Sequence, residues 1–404
     1  MSRIESASVH VTAPGRNYVL LRVETSDGVV GWGDATLNGR ELAVASYLRD
    51  HVAPLLAGLD ATRIEDTWQY LYRGSYWRGG PVAMTAIAAV DMALWDVQGR
   101  TLGVPLYQLL GGASRNGCLA YGHATGESVE DLIASVRQHL ADGYRAIRVQ
   151  SAIPGMRDVY GVPRGGAAYE PAVRGARPTE ATWDTGAYLR FIPAMFEQVR
   201  DAVGPDVPLL HDAHHRLSPR EASQLGRSLE PYGLFWLEDV TPVEDQAAFR
   251  QIRSSTTVPL AVGEIFSSVW DCKTLIQERL IDFVRASVTH AGGISHMRKL
   301  LAFAELYGVR SGMHGATDIS PVGIAANLHL GLAINNFGIQ EHMPHPPVTS
   351  DVFTTAYTFD DGYLRPGEAP GLGVEVDLDA MDRFEYQTAY LPVNRLVDGT
   401  VHDW

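Results

Sequence analysis

Three acids recur at an even pitch in the middle of the chain: Asp212, Glu238 and Glu264, each 26 positions from the next. Each closes a short apolar run, VPLLHDAHH, LFWLEDV and PLAVGEIF in turn. A lone acid after such a run is ordinarily a helix N-cap or a solvated loop residue. Three in register are different. Carboxylates that converge on one point repel unless a cation lies between them, and all-oxygen ligation suits Mg²⁺ better than zinc. The elements between the acids say how they converge. SPREASQLGRSLEPYG reads as one helix, with Ser218 as N-cap, Pro219 at the first helical position and Glu221 completing a capping box. DQAAFRQIRSS supplies a second helical pattern. Strand and helix alternating at this pitch build a parallel sheet, and a (β/α)8 barrel gathers its active site at the C-terminal ends of its strands.

Other runs extend the same pattern to eight strands. CLAYGHAT opens the barrel with His123 near its end, and RAIRVQS follows with Arg148 and Gln150. DFVRASV carries Arg285, RSGMHGATD carries His314, Ala316 and Asp318, and NFGIQEH ends at Glu341. His214 stands two positions after Asp212, so strand alternation puts both on one face. His215 is expected to point the other way in a structural role, and His290 to pack. An irregular Gly- and Pro-rich stretch of about 27 residues, Ala152 to Pro178, is long for a connection within a compact domain and reads as a lid or binding loop. It contains Tyr160 and Arg164. Lysine occurs only as Lys273 and Lys299, both within helical patterns, so no strand end offers a lysine base.

Residues 1–117 read as an α+β domain: a three-stranded meander with its turn at Asp27-Gly28, then the loop holding Asn38, then helices. The barrel is expected over 118–350. The segment 351–404, with a small hairpin at Asp361-Gly362, is expected to return through LPVNRLVDGTVHDW to the N-terminal domain.

The chain has 404 residues, 46% of them hydrophobic and 20% charged, which suits a large core. Its formal charge of −14 makes nucleic acid and anionic membranes poor partners. Two cysteines without metal-type spacing fit a reducing cytoplasm, and the N-terminus lacks a signal-peptide pattern.

The stretches TLNGRE, RIEDTWQY, IAAVDMALWD, YGHA, HDAHHR, FWLED, GEIF, HGATDISPV, FGIQEHM and the terminal Trp404 resemble the enolase superfamily, and within it the mannonate dehydratase group. The resemblance covers essentially the whole chain. It implies an enolase-like α/β fold: a modified (β/α)8 TIM-type barrel under an α+β capping domain. It also implies Mg²⁺ on Asp212, Glu238 and Glu264, and D-mannonate as substrate of a hydro-lyase. Arg148-Val149-Gln150 stands where racemase-like relatives carry a Lys-x-Lys base, and Arg285 where they pair an Asp with the seventh-strand His. Ala316 after His-Gly matches the efficient mannonate dehydratases, in place of the Pro of weaker relatives. The implied base is Tyr160, assisted by Arg148, with His214 as the acid that protonates the departing 3-hydroxyl. A free tyrosine titrates near ~10, so tyrosinate at neutral pH needs a shift of about 3 units. Asn38, His123, Glu264, Arg285, His314, Asp318, Glu341 and Trp404 would read the substrate. The family and the apolar capping helices suggest a homo-oligomer, a tetramer or octamer. Rival readings are a dehydratase of another acid sugar such as D-gluconate, and a non-catalytic relative that binds an acid sugar as a regulator.

Overall fold

A computed structural model describes residues 2–163 and 173–403. At the N-terminus β1 (Ile4–Thr12), β2 (Tyr18–Thr25) and β3 (Val30–Asp34) form an antiparallel meander. The β2–β3 turn closes through Gly28, whose φ of +77° is open to glycine without strain. The helix Pro81–Leu102 then lies directly on β3. A side chain at Gly31 or Gly33 would collide with the backbone carbonyls of Ala93 or Ala89, so these glycines set the depth of that contact. The helix is buried almost all round, as its unbroken apolar sequence demands.

Eight parallel strands follow: β4 (Cys118–Gly126), β5 (Ala146–Ser151), then, after the short insertion strands β6 (Val173–Arg174) and β7 (Glu180–Trp183), β8 (Leu209–Asp212), β9 (Trp236–Glu238), β10 (Leu260–Val262), β11 (Phe283–Val284), β12 (Arg310–Met313) and β13 (Phe337–Glu341). They pair in the order β4-β5-β8-β9-β10-β11-β12-β13, and β13 pairs back onto β4 at Gln340↔Ala120, which closes the barrel. The capping box predicted for the helix after β8 is formed, with Ser218 and Glu221 bonded reciprocally. Among the described residues no helix is long and apolar enough to cross a membrane.

The barrel interior is layered. Tyr121, Ala146, Leu210, Trp236, Ala261, Phe283 and Ile339 make one buried cluster, a plug inside the ring. Two residues further along the same strands come His123, Arg148, Asp212, Glu238, Arg285 and Glu341. Strand alternation thus stacks a polar layer directly on the apolar one. The exception is β10, where the corresponding position is Gly263. Its φ of +136° ends the strand and turns the following residue, Glu264, toward the site.

The C-terminal segment does two different things. The hairpin of β15 (Thr358–Asp360) and β16 (Tyr363–Arg365), turning at Asp361-Gly362 with positive φ at both, pairs with the start of β4 at Leu364↔Cys118. It is flanked by the pair β14 (Phe353–Thr355) and β17 (Val374–Val376). Met381–Gln387 then touches the capping domain, where Ala13 N donates to Phe384 O at 3.0 Å and Asn17 Nδ2 to Gln387 O at 2.7 Å. The final stretch, expected to return to that domain, sets Leu391 beside Gly39 there. Its strands β18 (Ala389–Tyr390), β19 (Val393–Leu396) and β20 (Val401–His402) extend the barrel's own insertion, β18 on β6 and β19 parallel to β7. The reason is that the insertion strands offer unpaired edges, which the terminal strands cover. Trp404 and Arg164 lie outside the described residues.

Candidate active site

Asp212, Glu238 and Glu264 do converge: one carboxylate oxygen from each lies within 4.8 Å of the others. Asp212 and Glu238 are fully buried, and Glu264 keeps about a quarter of its side chain exposed. Burial, with repulsion from Asp212 and Asp239, pushes Glu238 well above the usual carboxylate range despite Arg285. Burial acts on Asp212 too, but His214 and Arg148 outweigh it and hold Asp212 well below that range. Glu264, bonded to His314 and beside Arg285, is drawn down to about 2 against the same burial. The set is all-oxygen, strained by mutual repulsion and open on one side. That is a donor set suited to a hard divalent cation.

Around the acids stand the other strand-end groups. Arg148 donates from Nη1 to Asp212 Oδ2 at 2.8 Å and from Nη2 to Gln150 Oε1 at 3.2 Å. His214 sets its Nε2 3.0 Å from Asp212 Oδ2, while its Nδ1 accepts from Arg216 Nη2 at 3.1 Å. The network therefore assigns the proton to Nε2. Burial, then Arg216 and Arg148, lower the His214 pKa against the pull of Asp212. On the loop after β5 the ring of Tyr160 meets that of His214 edge-on, centroids 4.8 Å apart. Gly161 has a φ of +88°, and a Cβ there would collide with Gln150 Oε1, so this glycine lets the Tyr160 loop lie against β5.

On the far side of the ring, His123 Nε2 is 3.0 Å from Glu341 Oε1, and His314 lies between Glu341 Oε2 (3.1 Å) and Asp318 Oδ1 (3.3 Å). Burial would lower the His314 pKa, yet Asp318 and Glu341 raise it well above the ordinary value. A cavity of about 60 Å³ is bounded by Arg16, His123, Arg148, Tyr160, His214, Glu264, His314, Ala316, Asp318, Glu341 and Met343. It adjoins a cleft of about 1180 Å³ between the capping domain and the C-terminal segment, with Arg16, His123, Asp318 and Met343 on both walls. Asn38 lines the large cleft.

Arg285, expected to read the substrate, is held among acids. It is 0% exposed. Its guanidinium pairs with Glu238 through Nε, with Glu264 Oε2 (3.2 Å) and with Glu341 Oε2 (2.5 Å), and also donates to Tyr121 OH (3.0 Å). It is the counter-charge that lets these acids be buried together. Sequence reasoning also missed Arg16 and Arg216. Arg16 comes from a capping-domain loop and donates to Thr317 Oγ1 at 2.5 Å, so no barrel periodicity could have found it. Arg216 lies two residues beyond His214, and that spacing was an available signal. It stacks on Trp183 at 4.2 Å and orients His214.

Two family models match the chain: the mandelate racemase / muconate lactonizing enzyme N-terminal domain over residues 6–111, and the enolase C-terminal domain-like family over residues 131–380. The chain belongs to the enolase superfamily. Superfamily relatives similar over their full length include a D-galactonate dehydratase family member of Pseudarthrobacter chlorophenolicus and a D-mannonate dehydratase of Caulobacter sp. (strain K31). Each is 61% identical and covers 100% of both chains. Among solved structures of the superfamily, an enolase from Pantoea ananatis with bound D-gluconate and Mg superposes with a TM-score of 0.92 at 36% identity, covering 100% of each chain.

Proposed function

We propose that this enolase-superfamily protein is an acid-sugar dehydratase that converts D-mannonate to 2-keto-3-deoxy-D-gluconate with Mg²⁺. One observation carries the reading. Glu264, which converges with Asp212 and Glu238, lines one small cavity together with Tyr160 and His214, so a cation on the acids, a base and an acid would face a single substrate position. Asp212, Glu238 and Glu264 would hold Mg²⁺, which when bound supplies Lewis-acid stabilisation of the charge that builds on the substrate carboxylate. The remaining work falls to the chain. Tyr160 Oη takes the C2 proton, assisted by Arg148, which lines the same cavity. His214, as the imidazolium, gives a proton to the departing 3-hydroxyl and returns to the neutral ring, so water leaves. Arg216, at Nδ1, and Asp212, at Nε2, hold that neutral ring in place. His123, His314, Asp318 and Glu341 read the hydroxyls, and Asn38 meets the substrate from the larger cleft. The enol product tautomerises to the 2-keto acid.

The substrate reading draws on the D-mannonate dehydratases among relatives of 58–61% identity and on Ala316 in the cavity wall. A second reading, turnover of D-gluconate, draws on the sugar acid bound by the Pantoea protein. Incubation with a panel of aldonic acids, with and without EDTA, separates the two. A 2-keto acid formed from D-mannonate and abolished by EDTA is the expected result. Selective turnover of D-gluconate would replace the first reading with the second, and no turnover of any aldonic acid would remove both. The same fold and family also suggest a homo-oligomer, which sedimentation would test.

A further inference from the structure

Beside Glu264 stand two side chains, His215 and Asp239, that the dehydration chemistry leaves unused. His215, Asp239 and Glu264 each bring one ligand atom within 4.8 Å of the others. His215 Nε2 and Asp239 Oδ2 are both shielded from solvent without a hydrogen-bond partner among the described residues, although they lie 3.6 Å apart. Asp239 is 0% exposed, so its bare oxygen is a fully buried acceptor aimed into the group. The ring is also oriented. His215 Nδ1 lies 3.4 Å from Thr241 O, which accepts the Nδ1 proton and leaves Nε2 as the ring atom that faces Asp239. A ring N–H given to a backbone carbonyl is the usual support for a metal-ligating histidine. The spacing is suitable as well, since two ligands bound tetrahedrally at about 2.0–2.1 Å stand about 3.4 Å apart.

We propose that His215, Asp239 and Glu264 form a second divalent-cation site, which shares Glu264 with the three-carboxylate site. One imidazole and two carboxylates favour a borderline cation of the zinc, cobalt or manganese class over Mg²⁺, which prefers oxygen alone. His215 keeps 17% of its side chain exposed, so a solvated ion can enter from that side. Sharing Glu264 couples the two sites. A zinc ion bound at His215 draws a Glu264 oxygen away from the first site and lowers Mg²⁺-dependent turnover. The proposal rests on the dehydratase reading only for this last consequence, because the binding itself needs no substrate.

Equilibrium dialysis of the full chain against Mg²⁺ and Zn²⁺, followed by metal analysis, tests it. The wild type is expected to hold two divalent ions per chain, with one of them zinc. His215→Asn is expected to hold one, and Asp212→Asn to keep its zinc. A single ion on the wild type, or two ions on His215→Asn, overturns the proposal. Zinc-edge anomalous scattering from the wild type keeps the question open to measurement if a variant does not fold. A peak beside His215 Nε2 supports the site, and no peak there overturns it. In turnover assays half-inhibition by zinc should need about tenfold more metal in His215→Asn than in the wild type. A failure to dehydrate any sugar acid would sink the dehydratase reading and leave the ion count standing.

Discussion

The two halves of the site are held in different ways. The acids and Arg285 sit on or directly after barrel strands, at least partly buried, each fixed by strand register above an apolar plug. Tyr160 sits on a loop, half-buried, and reaches the same place through Gly161 against Gln150 and an edge contact with His214. The first half is positioned by the fold as a whole, the second by a few local contacts. Groups whose charge must be caged are built on strand ends, while the proposed base is carried on a loop.

The comparison is broken most forcefully on the caged side. Arg285→Met leaves Glu238, Glu264 and Glu341 buried without their counter-charge, and the loss should be about 3–5 kcal/mol of stability. Thermal unfolding measures it, and Mg²⁺ should restore part of the loss, because a cation among the acids replaces the missing guanidinium. An unchanged melting temperature would mean that Arg285 is not the structural counter-charge.

On the adjustable side, Tyr160→Phe should leave unfolding and Mg²⁺ binding intact while turnover falls by about 10²–10⁴-fold. His214→Asn should lower dehydration by a similar factor of about 10²–10⁴. It should still exchange the substrate C2 proton with deuterium from solvent, because the base remains. Tyr160→Phe should lose that exchange. Exchange surviving in Tyr160→Phe would assign the base elsewhere.

A smaller effect sharpens the local argument. Gly161→Ala forces a Cβ into the left-handed region, at roughly 1–2 kcal/mol, and against Gln150. Turnover should drop while Mg²⁺ affinity stays unchanged, since no acid is moved. Weakened Mg²⁺ binding would show that the two halves are not independent.

The gentlest probe is pH. His123, His211, His329, His342 and His345 are buried and held neutral, each with its pKa lowered to about 4 by that burial. The unfolded chain takes up these protons near ~6.5, so it binds more of them than the folded chain as the pH falls from about 6.5 to 4. These five groups therefore contribute stability that is complete above this window and lost through it, while the buried acids Asp34, Asp91, Asp96 and Asp239, raised to about 6, 7, 6 and 7, act in the opposite sense. An NMR titration in which these rings take up protons near their free value would contradict the buried-neutral assignment.

Much of this could be read before any coordinates. The 26-residue pitch of the three acids, the alternation that joins His214 to Asp212 and the capping box at Ser218 are local patterns of side-chain type and period. They determined that strands alternate with helices and that acids end the strands, and they raised the expectation of a cation among them. Tertiary structure alone decided three things. Arg285 became a buried counter-charge because three strand ends put acids around it. Gly263 broke the two-residue alternation and so aimed Glu264. Arg16 and the terminal strands reached the barrel from opposite ends of the chain. Periodicity reports which face a residue takes within its own element. It carries no information on which distant element will stand opposite, and charge pairing and edge pairing are settled there.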